Sequence, residues 1–329
     1  MHAPNRRRVI LLSILATVAI LIGAGELFAR YVLGLGDPPL SLAHDQIEYL
    51  FKPNQDVMRF GHRIIINAYG MRTENFPKAK PAGEFRVMVF GDSVLNGGNL
   101  LDHSTLATTL LSKRLSDALE RPVVVGNISA GSWGPGNWLA YAQEYGFFDA
   151  DIVMLVISSH DYADNPTFAP LNPLTHPQER PWSALWEGVT RYLPRYLPRI
   201  SAAPPAEVQE IPTTVTSKAI DRGLSDLRQF LTLAINSGAT VLVAQYPDRE
   251  EIANGYAEGY QRIKHLVETL GIDIFPLDPG IRAALDRGEN PYRDGIHAND
   301  LGQALLATAS FDRLMARLAN GQRPKAKNR

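Results

Sequence analysis

Apolar and polar positions divide the chain into stretches of different character. From Val9 to Gly25 no charged residue occurs, and Leu27 to Ala29 extend the run past a single acid, Glu26. Roughly 20 apolar residues at about 1.5 Å each cross a bilayer core, so this run predicts one transmembrane helix, assigned to residues 9–30. From residue 84 onward, short β-rich apolar runs alternate with stretches of helical period. Strands are predicted at 86–90, 122–126, 152–157, 240–245 and 272–276. Helices are predicted at 104–119, 137–146, 217–237, 251–270, 280–287 and 300–319. Such alternation implies a parallel sheet covered by helices, and a single α/β domain over 84–320.

Two segments break the pattern. Residues 31–83 read as an extended arm with turn-rich KPNQ and NAYG pieces. Residues 165–215 are Pro-rich and too long for a plain loop. They read as an insertion with a short helix carrying Trp182, Trp186 and Tyr192. A packed excursion, a lid, a partner surface and a membrane-interface contact all remain open for it.

Charge refines the picture at the ends. Arg6, Arg7 and Arg8 form a basic tail over 1–8, and only Arg30 closely follows the apolar run. That bias places the amino terminus in the cytoplasm and the body across the membrane, the expectation being a single-pass protein of the cytoplasmic (inner) membrane with a periplasmic domain. Gly23, Ala24 and Gly25 raise the rival of a cleaved signal peptide. No A-x-A site follows them and the helical pattern continues to Leu33, which favours an uncleaved anchor. A second basic tail, 321–329, carries Arg323, Lys325, Lys327 and Arg329. Removing these seven charges from a total of −1 leaves −8 for the body. A body of that charge, without a basic patch, argues against a general nucleic-acid binder. The absence of cysteine excludes disulfides, thiolate chemistry and cysteine-based metal sites.

The candidate chemistry sits where predicted strands end. The run RVMVF leads directly into Gly91, Asp92 and Ser93, at the carboxyl edge where open parallel sheets place ligands. Backbone amides in such a turn can face developing negative charge. PYRDGIHAND, just before the last helix, places Asp294 and His297 three residues apart. A serine hydroxyl needs a base to take its proton, and a histidine base works best when a carboxylate orients it. An isolated D-x-x-H is equally an ordinary capped turn. The Gly-rich stretch NISAGSWGPGN, residues 127–137, and SSHD, residues 158–161, follow two further strands. His44, His62, His103, His176 and His265 show no metal-ligand spacing. The loop at 131–136 lacks dinucleotide and phosphate-loop fingerprints, so neither a metal nor a cofactor is expected.

Together these segments resemble the SGNH, or GDSL, hydrolase family over about residues 84–320. The resemblance implies a three-layer, flavodoxin-like α/β domain with a five-stranded parallel sheet. It makes Ser93 the nucleophile, His297 and Asp294 the rest of a triad, and the N–H groups of Ser93 and Gly131 part of an oxyanion hole. One block departs: His160 stands where the family carries an asparagine, and it reads as a substitute ring N–H donor, with a supporting or substrate-contact role, or lost activity, as the alternatives. Asp161, Asn165 and Trp133 are candidate substrate contacts. Lys52-Pro53-Asn54 and Asn67-Ala68-Tyr69-Gly70-Met71-Arg72 resemble segments of membrane-anchored bacterial relatives.

The implied activity is cleavage of short acyl esters, O-acetyl above all, on a cell-envelope or exported polysaccharide. An O-acyltransferase using the same triad is the alternative. A non-catalytic component working with polysaccharide-assembly proteins is a further one.

Overall fold

The computed structural model describes residues 6–193 and 216–319. The expected tail at 321–329, the first five residues of the tail at 1–8 and the insertion beyond residue 193 lie outside the described residues.

Helix α1 (Arg6–Tyr31) is long and apolar enough to cross a membrane, and none of its most apolar window is buried. At about 1.5 Å per residue its 26 residues reach about 39 Å, more than the roughly 30 Å of a hydrocarbon core. Its last turns touch protein. Ala29 is buried, and the Glu26 carboxylate accepts from Ser183 Oγ at 2.7 Å and from the N–H groups of Ala184 and Leu185, both at 2.9 Å.

The arm is not extended. It folds into two antiparallel hairpins, β1 (Ser41–His44) with β2 (Glu48–Phe51) and β3 (Gln55–Arg59) with β4 (His62–Ile66). Phe60 and Gly61 join the second pair with φ of 50° and 83°, the mirror-image turn that matches strand twist. Ile47 and Leu50 join the core on one face of the sheet, while Val57, Ile64 and Ile66 form a small core of their own with Phe51 packed against it. This burial is what turns the arm into a wall.

The domain is a three-layer α/β sandwich. Its five parallel strands are β5 (Phe85–Gly91), β6 (Val123–Ser129), β7 (Ile152–Ser158), β8 (Thr240–Tyr246) and β9 (Asp273–Pro276), in the spatial order β6-β5-β7-β8-β9. Side chains alternate between two cores. Val87, Val89, Met154 and Leu242 meet α3 (Ala107–Leu119), α9 (Asp278–Asp286) and α10 (Asp300–Ala319) on one face. Met88, Phe90, Val153 and Val243 meet α4 (Pro135–Tyr145), α6 (Ser217–Asn236) and α8 (Glu258–Thr269) on the other. Strands buried on both faces explain the uninterrupted apolar runs.

The helix expected at 251–270 is two helices. α7 (Arg249–Asn254) stops at Gly255, whose φ of 98° and N–H bond to the Glu251 carbonyl end it before α8 begins. The expected helix of the insertion is the short α5 (Ala184–Glu187), continued through one wide turn at Gly188–Tyr192. Trp186 and Tyr192 lie on it, and Trp182 precedes it.

Candidate active site

In this strand order the chain reverses direction across the sheet between β5 and β7, and such a switch point opens a crevice at the carboxyl ends. Ser93 leaves that edge on the β5 side and His160 on the β7 side. The β5 turn is tight, since a Cβ on Gly91 would come within 2.8 Å of Leu95 Cβ. Asp92 caps the following short helix, α2 (Ser93–Asn96), its Oδ1 accepting from the Val94 N–H at 2.9 Å. Ser93 opens the turn, and its own N–H has no acceptor among the described residues.

His297 Nε2 lies 2.9 Å from Ser93 Oγ, and His297 Nδ1 lies 2.8 Å from Asp294 Oδ2. With the carboxylate accepting a hydrogen bond from Nδ1–H, the Nε2 lone pair faces the serine hydroxyl. The loop holds itself in shape. Asp294 Oδ1 also accepts from the N–H groups of Ile296 at 3.0 Å and His297 at 2.8 Å, and the Arg293 N–H donates to the His297 carbonyl at 2.8 Å. Burial pushes the Asp294 carboxyl up, but those two N–H groups and the imidazole outweigh it and hold the group below its ordinary value. Asn299, through Oδ1 to the Gly302 N–H, starts α10 directly after the loop.

Gly131 lines the same cavity as Ser93 and His297, and its carbonyl accepts from Tyr49 Oη at 2.5 Å. The cavity measures about 190 Å³ and is walled by three parts of the chain: the hairpins through Tyr49, Ile64 and Ile66, the insertion through His176 and Arg191, and the triad loop through Arg293. Sequence reasoning missed these walls. Arg72, also on the cavity, is buried, and its guanidinium donates to the carbonyls of Asn96 (2.9 Å), Gly98 and Leu101 (2.7 Å). Burial pulls it down to about 9, with Asp102 opposing the shift. Its one sequence signal was membership of the segment at 67–72. There Asn67 Oδ1 bonds the N–H groups of Tyr69 and Met71, a side-chain-closed turn.

His160 does not line that cavity. Its Nε2 lies 3.2 Å from Asp161 Oδ1 and 3.7 Å from Asp92 Oδ2, and both carboxylates are buried. Burial raises both carboxyl groups, with His160 opposing the rise at Asp92 and the Asp92 charge adding to it at Asp161. The ligand atoms of Asp92, His160 and Asp161 lie within 4.8 Å of one another, a three-donor set that could hold a metal ion.

None of the three expected substrate contacts lines the cavity. Trp133 is buried, with Nε1 donating to the Tyr49 carbonyl at 3.0 Å. Asp161 is fully buried and accepts from the Ser158 N–H at 2.7 Å. Asn165 Nδ2 donates to the carbonyls of Ala163 and Ala219, both at 2.9 Å, pinning the insertion to α6. Each is spent on holding a neighbouring segment.

No family model matches the chain, and no curated protein matches it. Among solved structures it is similar to a member of the lipolytic protein G-D-S-L family from Veillonella parvula DSM 2008, at 11% identity and a TM-score of 0.44, covering 70% of this chain and 98% of that one. It is similar to a variant of Axe2, an acetyl xylan esterase from Geobacillus stearothermophilus, at 14% identity and a TM-score of 0.44, covering 72% and 97%. It is also similar to the psychrotrophic esterase EstA from Pseudoalteromonas sp., at 13% identity and a TM-score of 0.42, covering 71% and 98%. One fold hosts many activities, so function is carried by the side chains of the site.

Proposed function

We propose that the chain is a membrane-anchored serine esterase of the SGNH type that cleaves short acyl esters, O-acetyl above all, on a polysaccharide outside the cytoplasm. The observation that carries this reading is the relay from Ser93 through His297 to Asp294, with both hydrogen bonds under 3 Å. Ser93 Oγ attacks the ester carbonyl carbon while His297 Nε2 takes the hydroxyl proton. The carbonyl oxygen gathers negative charge, met by the free N–H groups of Ser93 and Gly131. As the C–O bond to the alcohol breaks, His297 returns the proton to the leaving oxygen, and acyl-Ser93 remains. Water, deprotonated by His297, then releases the acid and frees the serine.

His160 is the third candidate donor. Its Nε2 faces the carboxylates, while its Nδ1 makes no hydrogen bond to the described residues. His160→Asn should keep much of the activity and His160→Ala should lose it; equal full activity in both removes His160 from the oxyanion hole. The apolar run of helix α1 and the three arginines at its start support the anchor and its orientation.

A fluorophosphonate probe tests the enzyme reading before any substrate is known. It should label the wild type and not Ser93→Ala. Failure to label the folded wild type would leave the non-catalytic binding role in its place. Acetate release from an acetylated oligosaccharide then supports hydrolysis, whereas acetyl appearing on an added unmodified oligosaccharide supports acyl transfer.

A further inference from the structure

The cavity beside Ser93 is cationic on its walls. Arg72, Arg191 and Arg293 line it, and among the described residues no aspartate or glutamate does. The three arginines come from three different places: the turn that leads into the sheet, the insertion, and the triad loop. Arg72 is buried, the Arg191 side chain is 10% exposed, and each has a buried Nε–H with no acceptor among the described residues. A buried guanidinium donor left unpaired is costly, and planar forks of this kind match carboxylate and phosphate oxygens.

The local charges do not cancel. Among the described residues Glu187 is the one carboxylate paired with Arg191, at 3.3 Å, and it is shared with Arg59 at 2.7 Å, so two guanidinium groups face one acid. Arg72 bonds only carbonyl oxygens. Arg293 reaches the Gly97 carbonyl at 3.3 Å and lies 3.7 Å from Asp294, whose charge is engaged by His297. Positive charge is therefore left over on the walls, in a recess where a neutral ester has nothing to neutralise it.

Building on the esterase reading, we infer that the site selects esters that themselves carry an anionic group, a carboxylate or a phosphate, seated against Arg191 and Arg72 while the acyl carbonyl lies at Ser93. An acidic sugar bearing an acyl group has this chemistry. The arm and the insertion would then supply substrate choice, and the α/β domain the reaction.

Three acetylated methyl glycosides test this: the glucoside, the glucuronide and the glucoside 6-phosphate, which share a ring and differ in charge at one carbon. The wild type should prefer at least one charged ester over the neutral one by about tenfold or more in kcat/KM, the scale of one charged hydrogen bond. Carboxylate and phosphate sources separate by which of the two is preferred. Arg191→Gln should cut that preference about tenfold, Arg191→Lys should retain part of it, and Arg293→Gln provides a second variant should the first fail to fold. A wild-type ratio near one, or a preference unmoved by both glutamine variants, overturns the inference. Titration of Ser93→Ala with methyl glucuronide, methyl glucoside 6-phosphate and methyl glucoside reads the same selectivity without turnover. Charged-sugar binding with no hydrolysis would sink the esterase reading alone, and hydrolysis without charge preference would sink the subsite alone.

Discussion

Arg59 on the second hairpin and Glu187 at the end of α5 form a buried ion pair at 2.7 Å, 128 residues apart in sequence. The same carboxylate accepts from the Gly36 N–H at 2.6 Å, just past the apolar helix, and Arg59 also donates to Tyr192 Oη at 2.8 Å. One acid thus ties together the segment that follows α1, the hairpins and the insertion that walls the cavity. Burial pushes Glu187 up, but Arg59 and the Gly36 N–H outweigh it and hold it low. Removing one partner of such a pair leaves an uncompensated buried charge, at about 3–5 kcal/mol. Glu187→Ala should therefore lower the denaturant midpoint strongly and weaken ester hydrolysis by loosening the His176 and Arg191 wall. An unchanged midpoint would mean that the pair is not a structural tie.

Asp294→Asn separates orientation from folding. The asparagine oxygen can still accept from the Ile296 and His297 N–H groups, so the loop should keep its shape. The carboxylate that fixes the Nδ1 proton is gone, and in a serine protease the corresponding change costs about 10⁴-fold in kcat. Here kcat should fall by about 10²-fold or more with little change in KM or thermal stability. Near-normal turnover would mean that the proton is not relayed along this path.

Tyr49→Phe probes the contribution of the hairpins to catalysis. The hydroxyl of Tyr49 fixes the Gly131 carbonyl at 2.5 Å, and burial keeps that phenol well above its ordinary pKa, so it acts as a donor. Without it the Gly131 carbonyl loses its anchor, and rotation about the backbone bonds of Gly131 can carry the N–H of the preceding peptide away from the oxyanion. The expected loss is in kcat, bounded by the about 10²- to 10³-fold that a whole oxyanion donor is worth. A change confined to KM would assign Tyr49 to substrate binding instead.

How much of this was legible in the sequence depended on whether neighbouring residues carried the signal. The sheet was, because strands such as Phe85–Gly91 are apolar on both faces. The meeting of Ser93, His297 and Asp294 was as well, since Ser93 directly follows a strand and Asp294 and His297 share one loop. The cavity walls were not. Strands of four or five residues with half their side chains exposed, as in Gln55–Arg59, barely register as a period. The turn at Phe60-Gly61 lacks the usual Asn or Asp before its glycine. Arg59 and Arg72 read as surface residues because arginine is rarely buried unless paired, and their partners are contacts distant in sequence or backbone carbonyls. The break at Gly255 was hidden because helical residues flank it on both sides.

The buried acids give a pH-dependent prediction. Among the described residues Asp161 Oδ1 and Asp92 Oδ2 have no hydrogen-bond partner, and burial raises both carboxyl groups, Asp161 further by the charge of Asp92. A carboxyl whose folded pKa lies above its unfolded value of about 3.9 binds more protons in the folded state. Its contribution to stability is full below that unfolded value and is lost as pH rises through the folded one. Asp161→Asn removes this loss. Its oxygen keeps the Ser158 N–H bond, and its amide offers a donor to the unpaired Asp92 oxygen. The variant should therefore be more stable than the wild type in urea, with the difference in midpoint larger at about pH 8 than at about pH 5. A difference that shrinks with rising pH, or a variant less stable at both values, would show that Asp161 is needed as a charge, as a ligand to a metal ion or a counter-charge to His160 would be.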